Sequence, residues 1–318
     1  VHLTDGELRN FDRLVLRIED EARDRYLDQV HHLIDRLKAK IDEDSSFNVI
    51  KFLQVGSLRK GTALRPRDGI PVDADIAVYL EVDDGNPADV ETLHEQLRKL
   101  VMSVYPNKAP EDFSVQPHTL GMEFHESGLL IDLVPVIAIS GPGDYGWQPS
   151  SRGEAPVKTS VTKQLEFIRK HKQSDARYRG LVRLLKAWRN FQSLNDLRSF
   201  AIELIAAHVR NQQGPAADLE SGLLRMFLWV AQTKLSQPVS FPENGNGVRF
   251  PADPVVVLDP VNSENNVARR ITAQVRDDIV AKATETWELI STARRNAYAG
   301  ETLDFWKQVF GRSFRIEE

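Results

Sequence analysis

Two aspartates one residue apart stand at the head of an apolar run, DADIAVYL at residues 73–80, and this pairing restricts the fold more than any other stretch. The run has the length and residue types of a core strand. Side chains two apart on a strand share a face, so Asp73 and Asp75 project together while Ala74 points away. Adjacent carboxylates repel each other. A surface strand tolerates both in water, whereas a core strand penalises unpaired acids. A third acid, Asp132, lies within GLLIDLVPVIAI at 128–139, the most apolar strand-like run in the chain. A lone buried aspartate is more often hydrogen-bonded structure than a metal ligand. Three acids on apolar strands of one small sheet point instead to a metal. The chain has no Cys and 8 His, which favours a hard ion, Mg²⁺ or Mn²⁺, over zinc. Such ions share their coordination with phosphates, and two of them can clamp the attacking and leaving oxygens of an in-line displacement. Phosphoryl or nucleotidyl transfer is the expected reaction class.

Just upstream lies GSLRKGT at 56–62. A P-loop requires G-x-x-x-x-G-K-[ST], and Thr62 occupies the position of the required lysine. A P-loop also opens a helix, whereas this segment is expected to run on into the strand. The simpler reading is a turn whose glycines, Gly56 and Gly61, let backbone N–H groups approach an anion. Ser57 would add a hydroxyl and Lys60 a charge. Turn chemistry alone also explains the pattern until the aspartates are considered.

The remaining chain divides by pattern. Residues 4–41 read as one long helix, opened by a Thr4/Glu7 capping box and carrying apolar residues at helical spacing. At 1.5 Å per residue it would span about 57 Å, long enough to back two lobes. Residues 47–139 read as five strands interrupted by one helix near 89–105. A Gly/Pro/Ser-rich connector covers 140–156, and helices follow at 158–173, 177–193, 198–212, 218–235, 266–296 and 302–309. The expected fold is α+β, with a spine helix at 1–45, a small mixed sheet at 46–140 and a helical lobe at 141–318.

Composition sets further limits. With 318 residues, 41% of them hydrophobic, the chain can build one large or two medium domains. The absence of Cys fits a reducing cytoplasm, and no apolar run reaches the length of a membrane span. A formal charge of −5 argues against stable coating of nucleic acid. Residues 152–189 are nonetheless basic, with eleven Lys or Arg against Glu154, Glu166 and Asp175.

Taken together, G-S, a short spacer, D-x-D on a strand and a third Asp on a later strand resemble the polymerase-β type of nucleotidyltransferase. The run GSLRKGTALRPRDGIPVDADIAVYL is similar to that of the 2′-5′-oligoadenylate synthetases and the bacterial cGAS/DncV-like nucleotidyltransferases. IDLVPV, LVRLLKAWRN, LRSFAIELIAAH, LDPVNSENNVARRI and the ending WKQVFGRSF agree, so the resemblance covers nearly the whole chain. It implies a two-lobed enzyme that makes a cyclic di- or trinucleotide messenger from NTPs, ATP among them, in anti-phage signalling. Gly56 and Ser57 would bind the donor triphosphate. Asp73 and Asp75 would hold two Mg²⁺ ions, and Asp132 the one that activates the attacking hydroxyl. Lys186 matches the family's triphosphate lysine, Ser199 its phosphate-contacting serine and Phe200 a base-stacking aromatic. Asn190 falls near a base-selecting position, and Asp259 and Asn265 would support the nucleotide pocket. The insertion RDGIP at 67–71 leaves the placement of Lys60 open. Without the family, Lys186 and Arg189 read equally as the wet side of a helix, Phe200 as core and Ser199 as a helix cap. The resemblance also implies an effector protein activated by the product and, in some bacterial relatives, a protein regulator. The alternatives are an RNA-extending enzyme of the CCA- or poly(A)-adding type and a catalytically silent nucleotide-binding sensor or scaffold.

Overall fold

A computed structural model describes residues 3, 5–43, 48–66, 71–81, 90–116, 118–149, 155–245 and 250–315. The chain forms two compact units, Ile18–Glu166 and the combination of Val1–Arg17 with Phe167–Glu318. These borders differ from the expected ones at 45 and 140.

The expected single N-terminal helix is broken. It consists of α1 (Asp5–Phe11), a π-helical turn at Asp12–Leu16 and α2 (Asp20–Glu43). Arg17 takes an extended conformation with ψ of 137°, while its N–H still donates to the Asp12 carbonyl at 2.7 Å. Thr4 lies outside the described residues. The apolar spacing continues across the break, but its partners change. Phe11 packs on Phe310 and Phe314 in one unit, whereas Val30, Leu33 and Leu37 join the core of the other. Periodicity reports that a face is buried, not what buries it.

In the unit Ile18–Glu166 the sheet forms from β1 (Val49–Val55), β2 (Val72–Leu80), β3 (Phe113–Val115), β4 (Leu120–Phe124) and β5 (Leu129–Ala138), in the order β1-β2-β5-β4-β3. The β2–β5 pair is parallel and its neighbours are antiparallel. The supposed connector contributes β6 (Gly146–Gln148) and β7 (Val157–Thr159), which extend the sheet from β5. Residues 150–154 of that stretch lie outside the described residues. Alternation assigns the faces. Ala74, Ile76, Val78, Leu129, Ile131 and Leu133 bury themselves with the apolar stripes of α2 and α4 (Val90–Val104). The opposite face carries Ala77, Tyr79 and Val136 in a smaller cluster, along with the three aspartates.

The other unit is helical. It contains α1, the greater part of α5 (Val161–Ser174), then α6 (Tyr178–Phe191), α7 (Ser199–Gln213), α8 (Leu219–Thr233), α9 (Ala273–Arg295) and α10 (Ala299–Phe310). Residues Ala201 to Val209 of α7 are all buried, which makes α7 the central helix. The helix expected from 266 begins only at Ala273, because Asn262–Asn266 forms β9 against β8 (Leu258–Asp259). The chain's end packs Trp306, Phe310 and Phe314 with ring centroids 5.7–5.9 Å apart, and Phe11 4.6 Å from Phe314. Arg183 donates to both oxygens of Asp12, at 2.6 and 2.5 Å, with both side chains nearly buried. Removing one partner strands the other charge, so Asp12→Ala should cost about 3–5 kcal/mol. Denaturant unfolding checks this; a change below about 1 kcal/mol would contradict the pairing.

Candidate active site

Strand register brings the acids together. Asp75 on β2 stands opposite Asp132 on β5, and Asp73 stands opposite Leu130 two places along. All three share the face turned away from α2 and α4. Asp73 is exposed, while Asp75 and Asp132 are half-buried. Burial and the carboxylates of Asp75 and then Asp73 push the pKa of Asp132 up to about 7. Its Oδ1 is buried without a hydrogen-bond partner among the described residues.

The Gly-Ser segment forms the wall of this face. Val55 at the end of β1 pairs with Asp75, and Gly56 follows with φ +69°. A Cβ at Gly56 would lie 1.7 Å from Asp75 Oδ2, so only glycine permits this approach. The segment does not run straight into a strand as expected. Gly56–Lys60 winds into a one-turn helix, α3, closed by Gly61 at φ +72°. The Ser57 carbonyl accepts the N–H groups of Thr62 and Ala63, and Lys60 is half-buried at the end of the turn. The missing P-loop lysine at 62 still rules out that motif, although Gly56–Lys60 opens a one-turn helix instead of running into a strand. Residues 67–70 of RDGIP lie outside the described residues.

Sequence reasoning missed Gly121. It pairs with Asp132 from β4, and a Cβ there would meet Ser114 Oγ at 2.5 Å and Asp132 Oδ1 at 3.0 Å. A glycine inside the strand LGMEF was the available signal. The all-oxygen donor set and the raised pKa of Asp132 suit a hard divalent cation, which would offset three converging negative charges. Among the described residues, however, no three acidic or imidazole groups are arranged as a ready-made cage for one ion.

The helical unit holds the other expected residues. Lys186 is buried at 4% exposure, so it is not on the wet side of α6. Arg183 is likewise consumed by Asp12, so residues 152–189 do not form a continuous basic surface; Arg152 and Glu154 lie outside the described residues. Asn190 is exposed and accepts from Arg189 Nε at 2.8 Å. Ser199 is the first residue of α7 rather than its cap, which is Arg198, and its Oγ accepts from Arg189 Nη1 at 3.4 Å. Phe200 is half-buried. Asp259 is fully buried and shapes its own loop. Its carboxylate accepts from the Val261 N–H at 3.0 Å and from Asn265 Nδ2 at 3.2 Å, and its carbonyl from Asn244 Nδ2 at 2.8 Å. With these bonds the Asp259 carboxylate faces the protein.

No family model matches the chain. Among curated proteins, the CBASS oligonucleotide cyclase CdnC of Escherichia coli (strain KTE188) is 35% identical over 316 residues, 99% of both chains. The chain belongs to the cGAS/DncV-like nucleotidyltransferases. The cyclic AMP-AMP-AMP synthase of E. coli (strain MS 115-1) is 29% identical over 92% of each chain. Solved structures of E. coli MS115-1 CdnC, one with ATP and one with HORMA-deltaN, match at TM-score 0.85 with 28% and 27% identity, over 99% of this chain and 100% and 99% of theirs. The Vibrio cholerae dinucleotide cyclase DncV shares the fold at TM-score 0.75 and 12% identity, over 98% of this chain and 96% of its own. As a cGAS/DncV-like member this protein is a nucleotidyltransferase, and neither the RNA-extending nor the silent alternative is favoured. Among the described residues no helix is long and apolar enough to cross a membrane.

Proposed function

We propose that this nucleotidyltransferase joins NTPs, ATP among them, into a cyclic di- or trinucleotide that signals phage infection. The observation that carries the chemistry is the registered Asp75–Asp132 pair, with Asp73 on the same face and Gly56 tight against it. Asp73, Asp75 and Asp132 would hold two Mg²⁺ ions, which neutralise phosphate charge and acidify a hydroxyl when bound. Asp132 would help take the proton of the acceptor's ribose hydroxyl. The hydroxyl oxygen then bonds to the α-phosphorus, the bond to the β-phosphate oxygen breaks, and pyrophosphate leaves. Ser57, Lys186 and Ser199 would bind phosphate oxygens, so the protein contributes mainly position and charge. Asn190 and Phe200 would face the base. A second transfer closes the ring.

The relatives support the finer points. One curated relative is named for a cyclic trinucleotide of AMP, and the matching CdnC has been solved with ATP. The CdnC solved with HORMA-deltaN supports a protein regulator for this chain, and a messenger product requires a separate effector to read it. Incubation with the four NTPs and Mg²⁺, then phosphatase and mass spectrometry, should leave a resistant cyclic product. If a regulator is required, a HORMA-domain protein restores the signal. Linear products alone, with or without that protein, would overturn the reading.

A further inference from the structure

The turn between α6 and α7 is stitched by one side chain. The Arg189 carbonyl accepts the Leu194 N–H at 3.0 Å. The guanidinium donates from Nε to Asn190 Oδ1 at 2.8 Å, and from Nη1 to the Leu197 carbonyl at 3.1 Å and Ser199 Oγ at 3.4 Å. Ser193, inside the turn, holds a left-handed φ of +58° without being glycine. Neither Arg189 nor Arg198 is ion-paired with a carboxylate among the described residues. Burial and the neighbouring Arg198 hold the Arg189 guanidinium below its usual range. Two arginines have therefore been placed together without an acidic partner, beside a serine and an exposed amide.

A guanidinium carries only donors, so the Asn190 amide has to turn its oxygen toward Arg189. That leaves the Asn190 Nδ2 group pointing elsewhere, as a donor. We infer that Arg189 is a positioning residue that locks Asn190 as a hydrogen-bond donor to the nucleotide base and, through the same guanidinium, holds Ser199 for a phosphate. Base selection and phosphate binding are then coupled through one side chain. The chemistry recognised is a base edge that presents an acceptor, such as a purine ring nitrogen, with an exocyclic amine disfavoured at that point.

This role presupposes that the site binds nucleotides. The test is equilibrium binding of each of the four NTPs, with Mg²⁺, to the full chain and to Arg189→Ala, Arg189→Lys and Asn190→Ala, with melting temperature measured alongside. The preferred NTP should bind Arg189→Ala about 10-fold more weakly, and the ratio between preferred and disfavoured NTPs should fall toward one. Arg189→Lys keeps a charge but cannot fork, so it should recover part of the affinity and none of the ratio. The double variant Arg189→Ala/Asn190→Ala should discriminate no worse than Asn190→Ala alone. A uniform loss for all four NTPs, or an additive double variant, would mean a merely structural role and overturn the inference. If the unmodified chain bound no NTP, the nucleotide reading itself would fall, and this inference with it.

Discussion

Replacing Asp73 and Asp75 together by asparagine is expected to lower product formation by at least about 10³-fold, on the scale of losing preorganised charge at a transferring phosphoryl group. The fold should survive. Asp73 is exposed and Asp75 half-buried, and both lie on the face of β2 opposite the core residues Ala74, Ile76 and Val78. Asparagine keeps the shape that Gly56 packs against and removes only charge. Nucleotide turnover by mass spectrometry and thermal melting together check this. Wild-type turnover in the double variant would remove these acids from the mechanism, and a collapse in melting temperature would make the loss uninformative about chemistry.

Asp132→Asn should separate activity from stability. In the folded chain Asp132 keeps its proton to about pH 7, against 3.8 ordinarily. Between those values the folded state binds a proton that the unfolded state has released. Stability therefore falls as pH rises through this window, and the penalty is complete above about pH 7. A gap of about 3 pH units sets a ceiling of about 4 kcal/mol, at 1.36 kcal/mol per unit. Asparagine carries no charge at any of these pH values. In EDTA at pH 8 the variant should therefore melt several degrees above the unmodified protein, near pH 4 the two should coincide, and turnover should be lost at both. Equal melting at pH 8 would show that Asp132 titrates normally, and would remove the case for its special placement.

Period-two alternation was enough to put Asp73 and Asp75 on one face and Ala74 in the core, because strand geometry is local. The five main strands and six later helices were legible for the same reason. Gly121 was not, because its value lies in being opposite Asp132 on another strand. The break at Arg17 also escaped, since an apolar stripe does not change when its packing partner does. The buried state of Lys186 depends on what surrounds α6 rather than on its spacing. Asp259 was expected in a loop but ends strand β8, and the two bonds its carboxylate accepts required coordinates.

By itself, then, the sequence determined the residue types, the D-x-D spacing on a strand, the glycine before Ser57 and the class of chemistry those imply. It could do so because each depends on neighbours within a few residues. Only the tertiary structure decided that Asp132 stands opposite Asp75 and holds its proton to about pH 7, that Gly56 is forced by that carboxylate, and that Arg189 ties Asn190 to Ser199. Those outcomes depend on strand register, burial and contacts between separate elements, which local spacing does not encode.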